Sequence, residues 1–407
     1  MVPKLRFSEF NMPWKQTTLG SVSSYAAYGM NSSAIEFDGV NKYIRITDID
    51  DDTREFIPSP LTTPSGKLEN QYLLNKGDIV FARTGASVGK SYLYKQKDGR
   101  LYFAGFLIKL TINKANPYFV YNQTLTEKYR KWIKVYSMRS GQPGINAEEY
   151  KEFEFAIPSL EEQTRIADFL SSVDERITLL NKQYDLLCRY KKGMMQKIFS
   201  QEVRFKDNHG RSFPKWTMRK FSDFFTIGSS KRVLQDDWVN EGVPFYRTRE
   251  LVSLSKKEKF KSEIFITEDN YTYLKDKYGV PAVGDFLVSG VGTLGIIHQV
   301  RNDNPFYFKD GNVLWFKKNN EINSDFFYHV FNSSKVLTQI VNHAAITTVG
   351  TYTIENAKKT KFMYPSLEEQ NKIANLLSAM DDKITIKKTE LDKLKTWKQG
   401  LLQQMFV

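Results

Sequence analysis

The sequence predicts a mixed α/β (α+β) chain: two similar globular units alternating with two long helices that pair as an antiparallel coiled coil, in a pseudo-twofold repeat. Three observations predict it. A hexapeptide recurs letter for letter, a coiled-coil apolar period follows each copy, and short strand-like runs occupy the segments before each copy. Internal repetition of this kind determines the architecture, because each copy must fold alike.

The repeat is Pro158-Ser-Leu-Glu-Glu-Gln163 and Pro365-Ser-Leu-Glu-Glu-Gln370, and over 158–199 against 365–406 the two copies share 19 of 42 positions. The offset of 207 persists upstream: Gly77-Asp78 aligns with Gly284-Asp285, and Asn116-x-x-Phe119-x-Tyr121 with Asn323-x-x-Phe326-x-Tyr328. Arg6-Phe7 and Trp14 at the start have counterparts in Arg204-Phe205 and Trp216, and Lys42–Thr47 is echoed by Pro244–Thr248. The chain therefore divides into a unit over 1–157, a helix over 158–199, a unit over 200–364 and a helix over 365–407. The helices are alike and the units have diverged, so differences of function belong to the units.

Each helix carries its own start signal. Ser159-x-x-Glu162 and Ser366-x-x-Glu369 read as capping boxes, in which serine and glutamate each satisfy an orphan backbone N–H. Downstream the apolar spacing is 4-3-4-3, through Ile166, Leu170, Val173, Ile177, Leu180, Tyr184 and Leu187, then Met194 and Ile198. The second copy runs Ile373, Leu377, Met380, Ile384, Leu391, Leu394, Leu401 and Met405. A sustained 3.5-residue period describes a coiled-coil seam. Lys191 and Lys398 interrupt it at equivalent places, Lys387 in the second copy only, and Gly193 and Gly400 follow the shared interruptions. Either the seam loosens there, or a partner backbone approaches closely.

In the globular units, Tyr43–Ile49, Ile79–Arg83 and Phe106–Ile112 predict strands in the first, and Phe245–Arg249, Phe286–Ser289 and Val313–Phe316 in the second. Helices are expected over Pro117–Ser137 and Asp325–Asn342.

Composition narrows the function. The 407 residues are 41% hydrophobic and 14% aromatic, enough for sizeable cores. No run of 18 apolar residues predicts a membrane span, and the opening residues lack the apolar core of a signal peptide, so the cytoplasm is expected. The lone Cys188 cannot form an internal disulfide and fits a reducing compartment. With 59 Lys+Arg against 46 Asp+Glu the net charge is +13, which favours a polyanionic partner through counterion release.

Catalytic motifs fail on inspection. Gly85-Ala-Ser-Val-Gly89-Lys90-Ser91 is one residue short of a P-loop, whose length fixes how its amides cradle phosphate. Gly290-x-Gly292-x-x-Gly295 meets the dinucleotide pattern, but Ile296–Arg301 reads as a strand where a helix is needed. Asn116-Pro-Tyr-Phe119 and Asn304-Pro-Phe-Tyr307 each lack one proline of the amino-methyltransferase loop, leaving structural turns. His209, His298, His329 and His343 show no metal-ligand spacing, and Glu149-x-Lys151 lacks the upstream Pro-Asp of a nuclease. The chain reads as catalytically empty, with no metal or cofactor of its own.

Two units, each closed by Pro-Ser-Leu-Glu-Glu-Gln and a heptad helix ending Gly193-Met-Met-Gln196 or Gly400-Leu-Leu-Gln403, resemble specificity subunits of type I restriction–modification systems. The Gly77–Gly85 run and the tryptophan-containing lead-ins resemble that family too. The resemblance implies that each unit is a target recognition domain reading one half of a split double-stranded DNA site, with the helices as spacer and docking surface. It implies separate modification subunits using S-adenosylmethionine and motor-nuclease subunits using ATP and Mg, in a phage-defence complex that methylates adenine and cleaves DNA. A modification-only or phage-exclusion system would use the same chain, and a basic coiled-coil adaptor is the alternative from another class.

Base reading needs Arg, Lys, Gln or Asn in the major groove, and register needs phosphate contacts. Candidates are Arg45, Arg54, Lys67, Arg83, Lys90, Arg139 and Gln142 in the first unit, and Lys231, Arg232, Arg247, Arg249, Lys256, Lys257 and Lys261 in the second. The loops 140–144 and 346–350 occupy matching places. Gly290-Val291 replaces Arg83-Thr84 in the second unit, so a role for Arg83 does not carry across.

Overall fold

The computed structural model describes residues 2–138, 143–256, 258–260, 263–319, 321–344 and 350–407. It resolves into two compact units: Met1–Lys182 with Thr389–Val407, and Gln183–Lys388. Compactness thus cuts across both long helices, Leu160–Phe199 and Leu367–Met405. Each unit holds the first part of the helix that follows it and the last part of the other one.

The two units repeat one plan. In the first, a four-stranded antiparallel sheet has the order Ser23–Tyr28, Leu107–Ile112, Asp78–Ala82, Ser91–Leu93. In the second the same order is Phe225–Gly228, Val313–Lys318, Phe286–Ser289, Ile297–Gln299. A separate antiparallel pair closes each unit, Lys15–Thr18 with Glu154–Ile157 and Thr217–Lys220 with Lys361–Tyr364. A parallel pair also recurs, Lys42–Ile44 with Leu101–Phe103 and Val243–Tyr246 with Tyr307–Phe308. The units part company between these shared elements. The first inserts an antiparallel pair, Ala34–Glu36 with Thr62–Pro64. The second has a short strand, Phe265–Ile266, and two helices, Thr248–Lys256 and Glu268–Tyr278.

Four expected elements end early, each for a local reason. The strand expected over Tyr43–Ile49 stops at Ile44, because the Arg45 amide and guanidinium both bond Asp48 and close a 3-10 turn. The strand expected over Phe245–Arg249 stops at Tyr246, where the Arg247 amide turns onto Glu250 at 3.0 Å as a helix begins. The helix expected over Pro117–Ser137 is two, Pro117–Gln123 and Glu127–Ser137, the second capped by the Thr126 side chain. That over Asp325–Asn342 likewise divides into Ser324–Phe331 and Ser334–Ala344. Periodicity carried the apolar face across each break, which a short hydroxyl- or amide-bearing linker then interrupts.

The main core of the first unit joins Trp14, Phe119, Tyr150, Phe153 and Phe155 to Ile166, Leu170 and Val173 of the first long helix. Leu401, Leu402, Met405 and Phe406 of the second long helix complete it, with the Trp14 and Phe406 rings 6.4 Å apart. The second unit does the same with Phe221, Phe225, Phe286, Phe316 and Phe327 around Ile198, Phe199, Ile373 and Leu377.

Candidate nucleic-acid interface

The repeated hexapeptide is a junction that fixes each unit to its helix. Ser159 Oγ accepts the Glu162 amide at 3.3 Å, the serine half of a capping box. The glutamate half is absent and that expectation is corrected: Glu162 accepts Arg6 at 2.7 and 2.8 Å and the Trp14 indole at 3.0 Å instead. Glu369 does the same with Arg204 at 3.2 and 2.8 Å and Trp216 at 2.8 Å. Two charged and aromatic donors outbid one backbone amide for a buried carboxylate. Gln163 donates to Pro158 O and accepts the Asn116 amide, both at 2.9 Å. Gln370 repeats this with Pro365 O at 2.9 Å and Asn323 at 3.0 Å. Asn116 and Asn323 are side-chain caps of the helices they open, which is what the incomplete methyltransferase motif at Asn116 amounts to.

The lysines that interrupt the seam have partners. Lys191 Nζ lies 2.5 Å from Asp381 in the second unit, and Lys398 Nζ 2.6 Å from Asp174 in the first. Both residues of one pair lie 207 positions from those of the other, so one ion pair is built twice. In the second unit Lys388 also sits over the Tyr184 ring at 5.9 Å, and as one helix index falls the other rises, the antiparallel sense. Ile166, Leu170 and Val173 are buried in the first unit with Ile177 packed against them, and Leu180 is half-buried. In the second, Ile373 and Leu377 are buried, Met380 packs against them, and Tyr184, Leu187 and Ile384 are half-buried. Leu391 is buried in the first unit and Leu394 packs on its core. At Gly193 and Gly400 an added Cβ would meet no described residue within 4 Å.

The glycine turn at 85–91 is filled. Gly89 has φ +86, and a Cβ there would lie 2.7 Å from Ile133. The Tyr150 hydroxyl accepts the Gly89 amide at 3.0 Å, and that of Tyr129 donates to Gly89 O at 3.0 Å. The Gly89 end of the turn is thus occupied by this chain's own groups, and Lys90 is buried with Nζ on Ile49 O at 3.0 Å and Asp51 at 2.5 Å. Its place among DNA contacts is therefore withdrawn. After Gly295 a strand follows, Ile297–Gln299, as the rejected dinucleotide reading required. Among the described residues no group of three His, Cys, Asp or Glu could hold a metal, and no helix is long and apolar enough to cross a membrane.

The remaining candidates divide by how far their charge is spent. Arg45 is bidentate to buried Asp48 at 2.8 Å, and Arg247 to buried Glu250 at 3.0 and 2.7 Å while lying over Trp238. These are repeat-equivalent turn clamps. Arg249 shares Glu250 at 2.7 Å, Arg232 pairs with Asp310 at 2.8 Å, and Lys231 is exposed over Tyr278. Lys67 and Lys256 are exposed, and Arg54 is half-buried at φ 58. Arg139, Gln142, Lys257 and Lys261 lie outside the described residues, as do most of loops 140–144 and 346–350.

Arg83 differs. Its amide donates to Phe106 O at 3.1 Å, its carbonyl accepts the Ile145 amide at 2.9 Å, and its guanidinium lies 5.0 Å over the Tyr28 ring. In the second unit Gly290 donates to Asn312 O and accepts from Tyr352, both at 2.8 Å. One backbone frame thus carries Arg83 with Phe106 in one unit, and Gly290 with Asn312 in the other. Tyr28 and Phe106 were not among the sequence candidates. The signal for them was available only through the strand register, which aligns Tyr28 with Ser229 and Phe106 with Asn312.

The family described as "Type I restriction modification DNA specificity domain" matches residues 11–188 and again 214–396. A putative type I restriction enzyme MjaX specificity subunit of Methanocaldococcus jannaschii is 29% identical over 346 residues, 82% of this chain and 78% of that protein. The MjaVIII specificity subunit of the same organism is 26% identical, over 86% and 83%. The crystal structure of the S subunit of a type I restriction–modification system from M. genitalium superposes with a TM-score of 0.64 at 19% identity, covering 100% and 99%, and supports the fold. With a repeated unit, a repeated junction and both copies matched, the chain belongs to the type I restriction–modification DNA specificity family.

Proposed function

We propose that this chain reads a split double-stranded DNA site, one half with each globular unit, and carries no catalysis itself. The observation that supports this best is the shared frame at residues 83 and 290. Two copies of one scaffold present different side chains at the same place, as reading two different half-sites requires. The net charge of +13 supplies the sequence-independent attraction to phosphate.

The helices, on this reading, set the undefined gap and receive the modification subunits. Three pairs of the apolar side chains left exposed on them fall at repeat-equivalent positions, Leu160 and Leu367, Leu179 and Ile386, Tyr190 and Trp397, while exposed Leu186 has Lys393 as its counterpart in the repeat. Single exposed apolar groups are ordinary on a protein surface; it is their recurrence at the same places in both copies that supports two copies of one partner. That partner would supply S-adenosylmethionine-dependent methylation of adenine, and motor-nuclease subunits would supply ATP- and Mg-dependent cleavage. The same architecture suits a complex that only modifies.

The test is to purify the chain with its methyltransferase partner and map methylated adenines genome-wide in a host lacking other methylases. A motif of two defined blocks around a fixed gap is expected. A continuous motif would overturn bipartite reading, and failure to form any complex would favour the adaptor.

A further inference from the structure

We infer that Arg83 reads a guanine in the half-site of the first unit, held for that task by Tyr28. The inference rests on the DNA-reading proposal above and names the residue and the base. Among the described residues the Arg83 guanidinium has no hydrogen-bond or ion-pair partner, and its Nε is buried without an acceptor. Arg45, Arg232, Arg247 and Arg249 are by contrast bound to carboxylates. A half-buried arginine whose donors are unspent has lost part of its hydration for an acceptor that the described residues do not provide.

The position is rigid. Arg83 is pinned by hydrogen bonds from its own amide and to its own carbonyl, and the Tyr28 hydroxyl accepts the Ala147 amide at 3.3 Å, tying the ring to the neighbouring helix start. The guanidinium over that ring gains a cation–π contact and loses rotamer freedom before any ligand arrives. Beside it, Phe106 is 62% and Tyr28 43% exposed, an apolar rim of the kind that packs on a base or a thymine methyl.

Of the two units, only the first carries an arginine in this frame. The second keeps every backbone hydrogen bond of the frame yet has Gly290, where an added Cβ would meet Tyr352 O at 2.9 Å. Fully buried Tyr352 stands where the first unit has Ile145. The exchange of Arg83 and Ile145 for Gly290 and Tyr352 removes the cation and leaves the scaffold. A planar fork with parallel N–H donors matches the O6 and N7 acceptors of guanine, a geometry that an ammonium does not reproduce.

The test uses the full chain with its methyltransferase partner, comparing wild type, R83K, R83A and the double variant R83G/I145Y. The double variant copies the pairing already found in the second unit, so it keeps the test open should R83A fail to fold. Methylated motifs are mapped and competing duplexes titrated. In R83K, R83A and R83G/I145Y the preference for guanine at one position of one block is expected to fall by about 5- to 150-fold, the other block unchanged. Full discrimination in R83K would show a simple point charge, such as a phosphate contact, and overturn the inference. Even weakening of both blocks would do so too. A wild-type motif with no guanine in the block assigned to the first unit overturns this inference alone, whereas a wild type with no split motif overturns the DNA-reading proposal beneath it.

Discussion

Glu162 and Glu369 each take up an arginine and a tryptophan from a lead-in about 150 residues away in sequence. Removing such a carboxylate leaves an arginine largely out of water and an indole N–H without an acceptor. Glu162→Ala is expected to cost about 3 kcal/mol, read as a fall in the urea midpoint followed by tryptophan fluorescence. A cost near zero would mean the clamp is incidental. His329 gives the second unit a pH dependence. Burial, then Lys191, drives its pKa down to about 4, with Arg301 in the same direction and Asp381 and Asp325 opposing. The neutral ring is thus the native form, although Nδ1 lies 3.9 Å from Asp381. The unfolded chain takes up the proton near pH 6.5, so this stability is whole above that pH and is lost as pH falls toward 4. His298, lowered to about 4 by burial and Arg301, acts in the same sense. Each accounts for a loss on the order of 2 kcal/mol once the pH has fallen to 5. His329→Asn, the residue found at the equivalent position 122, is expected to flatten the fall in stability between pH 7 and 5. An unchanged slope would show that His329 titrates normally.

At the scale of the element, the sequence carried the long helices almost entirely. Their apolar period, start and length could be read because each is a local pattern repeated twice. What could not be read was where other elements stop, since Arg45, Arg247 and Thr126 end them through hydrogen bonds that periodicity does not register. Nor could the fate of Lys90, whose burial depends on Ile49 and Asp51, about 40 residues away in sequence. The seam lysines could be placed but not partnered, because the partner is the other copy. Seven-residue insertions at repeat-equivalent points, after Leu180 and after Lys387, keep the heptad register and add about 10 Å of helix. On the proposed function they should widen the undefined gap by about three base pairs without altering either block. Methylation mapping checks this, and a change in the defined letters would show that the helices do not act as a spacer.

Over the whole molecule the sequence disclosed a duplicated plan, and the structure shows where the copies diverge: in the inserted strand pair of one unit and the added helices of the other. Exchanging residues 1–157 for the corresponding unit of another family member that keeps Arg6 and Trp14 should change one block of the motif only. A change in both would refute modular reading. The shared cores also bear on how the protein is made. Trp14 and Phe119 are synthesised before the second unit, but Leu401 and Phe406, which pack on them, follow it. At about 5–20 residues per second, the roughly 200 residues between Lys182 and Thr389 take about 10–40 s to emerge. Throughout that interval a nascent first unit lacks the side chains that complete its core, so a ribosome-bound chain halted before Thr389 is expected to need chaperone protection that the finished chain does not.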